Sequence, residues 1–272
     1  MNDDALEASA YLEAWHERHT GATSTVVGKR IDQKGRNSYR VLADAMRDAG
    51  GPVLDLACGD GSLLGLLDAG SRCLGADRSL AELQAARRRL RPAFPLVRAD
   101  ATRLPFAAAS LNAVSCHYAL MLLLPLEEVL AELARVLHPG GLLAAVIPSD
   151  PPEDGLALWS TFRDVWEAVA ASHPVVIPLL QDSRALQYDD LAVLLTDAGF
   201  ASSARESLSM SNRVTVDEAV QSLLLSYLPD LLPSAGFAEF ASALGVALTD
   251  LADDDGSVLF SMHADLIEAR LP

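Results

Sequence analysis

The stretch Pro52 to Ser62, PVLDLACGDGS, constrains this chain more than any other. Val53, Leu54 and Leu56 form a short apolar run carrying an acid at Asp55, and a Gly59-Asp60-Gly61 turn follows directly. Leu63, Leu64, Leu66 and Leu67 then continue at helical spacing, so the stretch reads as a strand over 53–57, a tight turn and a helix over 61–69. Glycines at such a turn let the backbone adopt dihedrals closed to other residues and approach a ligand with no side chain between.

The neighbouring segments extend the pattern. A second apolar strand, 71–76, ends at Asp77, where a carboxylate can accept hydrogen bonds from both hydroxyls of a ribose. A third strand, 95–99, ends at Asp100-Ala101, and a fourth, 111–116, ends near His117, so several strand tips offer polar groups to one crevice. Charge separates two nucleotide readings. A dinucleotide fingerprint requires a third glycine three residues after Gly61, and that position is Leu64. Asp55 would oppose a pyrophosphate but suit an ammonium or sulfonium group, so the expected ligand is a cationic adenosine derivative.

The stretches VLDLACGDG (53–61), GADRS (75–79), RADATRLPF (98–106), SLNAVSCHYALMLL (110–123) and ELARVLHPGG (132–141) occur in the order and spacing of a known family. Over residues 53–147 the chain resembles the class I S-adenosylmethionine-dependent methyltransferases, above all the branch of ubiquinone/menaquinone-type and small-molecule enzymes. The resemblance implies a Rossmann-like, doubly wound, mostly parallel seven-stranded sheet, with S-adenosyl-L-methionine as cofactor and a small-molecule methyl acceptor. It also implies that Ala57, Gly59 and Gly61 line the methionine and ribose portion and that Asp55 neutralises the amino group. Asp77 would bind the ribose hydroxyls, Asp100 and Ala101 would contact the adenine, and Arg78 and Cys116 would border the pocket. Two positions depart from the family: Ala57 stands where a glycine is frequent, and Asn112 where an aspartate is common.

Composition narrows the function further. The 272 residues carry a formal net charge of -16, which gives no attraction to phosphate backbones or anionic membranes, so neither nucleic acid nor membrane is an expected partner. The basic run Arg87, Arg88, Arg89 and Arg91 reads as the solvated end of a helix. Cys58, Cys73 and Cys116 have none of the spacings of a zinc site, and no metal is expected; they read as reduced, buried small residues of a cytoplasmic protein. The acidic start MNDDALEA does not read as a signal peptide, and no apolar run reaches membrane-spanning length.

Around the core, helical patterns at 5–19 and 37–47 flank a polar, glycine-bearing joint, and the resemblance implies that residues 1–50 form a lid. Residues 51–148 read as the cofactor-binding core: helices at 80–90 and 125–137, and a fifth strand at 142–147 after Pro139-Gly140-Gly141. Ser79 and Glu82 have the spacing of a capping box. Residues 149–272 begin with the linker SDPPEDG. Helices at 156–170, 189–197, 216–228 and 236–251 follow, with a final strand near 258–264 and, as the resemblance implies, a sixth strand near 203–209, so that helical inserts lie after the fifth strand and between the sixth and seventh. The segment TVDEAVQSLL also resembles large-subunit rRNA guanine methyltransferases, but their N-terminal cysteine-rich zinc element is absent. The apolar inserts suit either a hydrophobic acceptor or a homodimer surface.

Displacement at a sulfonium leaves a neutral thioether, so such a reaction depends on orientation, and a base is needed only when the acceptor must lose a proton. His117 is the candidate base, with Tyr118 beside it; the competing reading of each is a hydrogen-bonded structural group. His16, His19, Tyr11 and Trp15 could close the pocket or simply pack, and Trp159, Phe162 and Trp166 have the spacing of a core stripe. Non-methylating chemistry on the same cofactor, such as a cyclase, and a non-catalytic binding protein are the remaining alternatives.

Overall fold

In the computed structural model, which describes residues 3–67, 72–90, 94–150 and 156–272, seven strands among the described residues form one sheet in the order β3-β2-β1-β4-β5-β7-β6. The strands are β1 (Val53–Leu56), β2 (Cys73–Asp77), β3 (Leu96–Arg98), β4 (Leu111–His117), β5 (Leu137–Pro148), β6 (Ser202–Thr215) and β7 (Ser257–Arg270). Strands β1 to β5 run parallel, and β7 lies antiparallel between β5 and β6. The strand order reverses between β1 and β4, and a crevice opens at the carboxyl ends of strands at such a point.

The two-residue period of β1 sorts its side chains. Leu54 and Leu56 pack with Leu126, Val129, Leu130 and Leu133 of helix α5 (Leu126–Val136) on one face of the sheet. Val53 joins Val41, Leu42 and Met46 on the other, beside α3 (Ser38–Ala45). Asp55 therefore shares the α3 side and is buried there.

Three expectations are corrected. The helix over 61–69 is, within the described residues, one 3-10 turn at Leu64–Leu66, and Leu67 is already extended. Gly61 and Gly65 weaken a helix here, and at Gly61 (φ +77°) a Cβ would run into Ala86 of α4 (Leu80–Arg89) and Leu90 just beyond it. The joint after α1 (Asp3–Arg18) is not a plain break: Gly21 turns the chain in the left-handed region (φ 73°) into a short α2 (Ala22–Val27), whose β-branched residues had hidden it from helical periodicity. Finally, β6 and β7 extend well beyond 203–209 and 258–264, pairing without a break from Ser202↔Arg270 to Thr215↔Ser257. β6 is a sheet edge, and its run of Ser, Asn and Arg residues suits a strand with one open side.

Helices α6 (Leu156–Ser172), α8 (Val216–Leu224) and α9 (Ser234–Leu251) cover the far end of this hairpin with a separate apolar cluster. Phe240 meets Phe162 and Trp166 edge-on within it, and the Trp159 indole N–H donates to the Ser261 carbonyl at 2.8 Å, so the aromatic stripe is core. Helix α7 (Tyr188–Asp197) packs on the α5 side. The end of the first predicted helix (68–69), the start of the second predicted strand (Ser71), Arg91 of the basic run, Met1 and Asn2 of the acidic start and residues 151–155 of the linker lie outside the described residues. No helix among the described residues is long and apolar enough to cross a membrane.

Candidate active site

A cavity with about 1340 Å³ of empty space, part of it continuous with solvent, opens at the carboxyl ends of β1, β2 and β4. Its floor holds Asp55, Ala57, Gly59, Asp77, Arg78, Asp100, Ala101, His117 and Tyr118. Its other walls come from distant parts of the chain: His16 of α1, Gly21 and Ser24, Tyr39 of α3, Leu122 to Leu124, and Tyr227 after α8. Gly61, expected to line the methionine and ribose portion, and Cys116, expected at the border, are elsewhere. Gly61 packs under α4, and Cys116 points into the α5-side core with no exposed surface.

The turn after β1 is held by Asp77. Its carboxylate accepts the Gly59 N–H (2.8 Å) and the Ser79 N–H (2.8 Å), fixing both the turn and the entry into α4. Ala57 and Gly59 both have positive φ (53° and 52°), and at Ala57 the left-handed backbone explains why glycine suits this position. Asp100 accepts the Thr102 N–H and hydroxyl on one oxygen, Oδ1.

Burial sets the electrostatics. Asp55, 1% exposed, accepts one hydrogen bond from Ser115 Oγ (3.2 Å) while Oδ2 has no partner. Desolvation pushes its carboxyl up to about 8 against the counteracting Ser115 bond. Asp77 is also raised by burial, with the Gly59 and Ser79 N–H groups opposing. His117 is pulled down to about 3 by desolvation, so the imidazole is neutral near pH 7 and a poor acceptor of a whole proton. Its Nε2 lies 2.9 Å from Ser38 Oγ, its ring stacks on Tyr39 at 3.7 Å, and its Nδ1 is buried without a partner. Tyr118 sits at φ 52°, a strained backbone at the tip of β4, and its buried phenol also lacks a partner and is raised well above the ordinary range by burial.

The profile of a methyltransferase-domain family matches residues 54–145. A demethylmenaquinone methyltransferase of Beutenbergia cavernae is 34% identical over 192 residues, 67% of this chain and 78% of that protein. The chain belongs to the class I S-adenosylmethionine-dependent methyltransferases.

Its cofactor is S-adenosylmethionine. A trans-aconitate 2-methyltransferase of Paracidovorax citrulli is 29% identical over 260 residues, 88% of this chain and 94% of that protein. The solved structure of a methyltransferase from Bacillus halodurans has the same fold, with a TM-score of 0.56 and 20% identity over 86% of this chain and 99% of that one. The site also takes in Glu82, Ser24, Tyr39 and Tyr227, which no cofactor motif marks. Glu82 was read as half of a capping box, and that box is only half made: Ser79 Oγ accepts the Glu82 N–H (3.2 Å), but the Ser79 N–H goes to Asp77. The Glu82 side chain is thereby released toward α1 and α2, where Oε1 accepts the Gly21 N–H at 2.9 Å and lies 3.4 Å from His16 Nδ1. No local pattern in residues 16, 21, 82 and 227 signals that they meet.

Proposed function

We propose that this methyltransferase acts on a small, largely apolar acceptor enclosed with the cofactor, residues 1–50 forming a lid over a core at 51–148 and residues 149–272 the helical inserts and the far part of the sheet. The observation that carries the reading is the roofed cavity: walls drawn from α1, α3 and Tyr227 suit an enclosed small molecule, whereas an RNA substrate calls for an open basic surface that a net charge of -16 does not supply.

The residues fit a cationic adenosine cofactor. Asp55, buried with Oδ2 unpartnered, is a seat for an ammonium group; Asp77 is at the strand tip suited to ribose hydroxyls; Asp100 and Ala101 border an adenine position. Ala57 and Gly59 would line the methionine and ribose portion, and Arg78 would border the pocket. Bound S-adenosylmethionine supplies a methyl group on a sulfonium, whose leaving group is a neutral thioether. The protein's part is then orientation and exclusion of water, which supplies up to about 7–11 kcal/mol of a barrier. His117 Nδ1 and the Tyr118 hydroxyl are the buried polar atoms available to orient an acceptor by hydrogen bonds. His117 would act as a neutral hydrogen-bonding group rather than as a proton store.

The acidic lining disfavours a polycarboxylate acceptor such as the one in the name of the Paracidovorax relative, and Leu122, Leu123 and Tyr39 favour an apolar ring such as the demethylmenaquinone named for the Beutenbergia relative. The same reading has the chain working in the cytoplasm, alone or as a homodimer. Calorimetry with S-adenosylmethionine and S-adenosylhomocysteine, with NADH as control, is expected to give micromolar binding of the first two. Loss of binding in Asp77→Ala supports the site; absence of binding by the unaltered protein would sink the reading. Methyl transfer to reduced demethylmenaquinone but not to trans-aconitate or RNA is the expected second result.

A further inference from the structure

Glu82 occupies an unusual place at the cofactor end of the cavity. It is 4% exposed and lines the cavity, and its Oε2 is buried without a hydrogen-bond partner. That oxygen lies 3.8 Å from the point where a Cβ on Gly59 would stand, so it overhangs the turn whose N–H is already tied to Asp77. Its other oxygen is committed to the N-terminal segment through the Gly21 N–H and His16. His16 in turn lies 3.3 Å from the Tyr227 hydroxyl, and Tyr11 donates to the Tyr227 carbonyl at 2.6 Å. One carboxylate thus touches the N-terminal helices on one side and the ligand space on the other.

A bare carboxylate oxygen so deeply buried is costly unless something donates to it. Helix capping does not use it, because Asp77 takes the Ser79 N–H that a full capping box would give it. The neighbouring N-terminal groups are spent on Oε1. What remains is the ligand.

We propose that Glu82 is a second acid of the cofactor site: Oε2 accepts a hydrogen bond from a ribose hydroxyl while Oε1 holds α1 and α2 closed. Asp77 and Glu82 then share the two sugar hydroxyls, and cofactor binding and closure of the N-terminal segment become one event. This rests on the cofactor reading above. Asp60 anchors the same segment independently, accepting from Ser24 Oγ at 2.7 Å and pairing with Arg89 at 3.0 Å, so closure is not left to Glu82 alone and the segment stays folded when Glu82 is changed.

The test combines calorimetry with S-adenosylhomocysteine and hydrogen exchange read by mass spectrometry. Unaltered protein is expected to gain protection over residues 9–30 on binding. Glu82→Gln keeps a carbonyl for the Gly21 N–H but replaces one acceptor by a donor. Its affinity is expected to fall about tenfold or more, with protection of 9–30 in the ligand-free protein retained. Glu82→Ala is expected to lose affinity and also the ligand-induced protection of 9–30, while protection near Gly59 persists. Affinity within threefold of the unaltered protein in both variants overturns the assignment of Glu82 and leaves the cofactor reading standing. Failure of the unaltered protein to bind overturns both.

Discussion

Two buried aspartates divide the molecule. Asp265, in the antiparallel hairpin, is 2% exposed, accepts from Ser207 Oγ at 2.8 Å and pairs with Arg205 at 3.0 Å, so both oxygens are engaged. Asp55, at the parallel end, is equally buried yet has one bond and one bare oxygen. A satisfied buried acid is part of the frame; an unsatisfied one is held ready for a ligand. The same division runs through the packing. The hairpin and helices α6, α8 and α9 bury an aromatic cluster away from the cavity, whereas the tips of β1, β2 and β4 keep polar groups under cover. Stability and binding should therefore respond to different residues.

The scaffold side should respond most strongly to substitution. Phe240→Ala removes a fully buried ring that meets Phe162 and Trp166, and is expected to cost about 3–5 kcal/mol of unfolding free energy in a denaturant titration. Affinity for S-adenosylhomocysteine, measured well below the melting temperature, should change less than about twofold if the two regions are independent. A large loss of affinity would show that the two regions are coupled.

Asp77→Ala is expected to do the reverse. Cofactor affinity should fall about a hundredfold, since charge-assisted hydrogen bonds are lost, while stability falls by only about 1–2 kcal/mol from the two backbone N–H groups left unpaired.

The two aspartates give the sharpest contrast, because substitution by asparagine should have opposite signs. Burial lifts the folded-state carboxyl of Asp55 to about 8, above its unfolded value of about 3.9, so folding favours the protonated form. Its contribution to stability is complete below about pH 4 and is lost as pH rises through about 8. Asp55→Asn is therefore expected to raise stability at pH 7 to 8 by about 2 kcal/mol, to have little effect near pH 4, and to weaken cofactor binding. Asp265→Asn, breaking an ion pair whose arginine is partly exposed, should lower stability by about 1 kcal/mol. Equal signs at pH 7.5 would refute the division. His117 adds the acid limb: its pKa is depressed to about 3, so stability present above about 6.5 is lost as pH falls toward 3.

The smallest effect concerns the turn itself. Ala57 at φ 53° carries the strain of a left-handed backbone, and Ala57→Gly should stabilise the protein by about 0.5 kcal/mol, visible as a small rise in denaturation midpoint.

Much of the site was legible because its signals are local. Acids within or just past short apolar runs, as at Asp55, Asp77 and Asp100, mark the carboxyl ends of β1, β2 and β3, and Gly59 marks the turn after β1. The helix expected after that turn failed because leucine spacing shows that side chains are apolar but not whether a backbone interrupted by Gly61 and Gly65 completes a second turn. The long β6–β7 ladder is hard to see in sequence because β6, SSARESLSMSNRVT, holds few of the β-branched and aromatic residues that signal a strand.

Residue patterning alone carries the succession of strands β1 to β5, the helices α4 and α5 between them, the acids near the strand tips and, through net charge, the poor match to nucleic acid. Which of these groups are bare and which are satisfied depends on the folded arrangement. It gave His117 a neutral, buried imidazole and sent Cys116 into the core. It also brought His16, Glu82 and Tyr227, separated by 66 and 211 positions from His16, against one another. Local patterning depends on neighbours a few residues apart, whereas burial, hydrogen-bond satisfaction and proton affinity depend on whichever distant segment closes over a group.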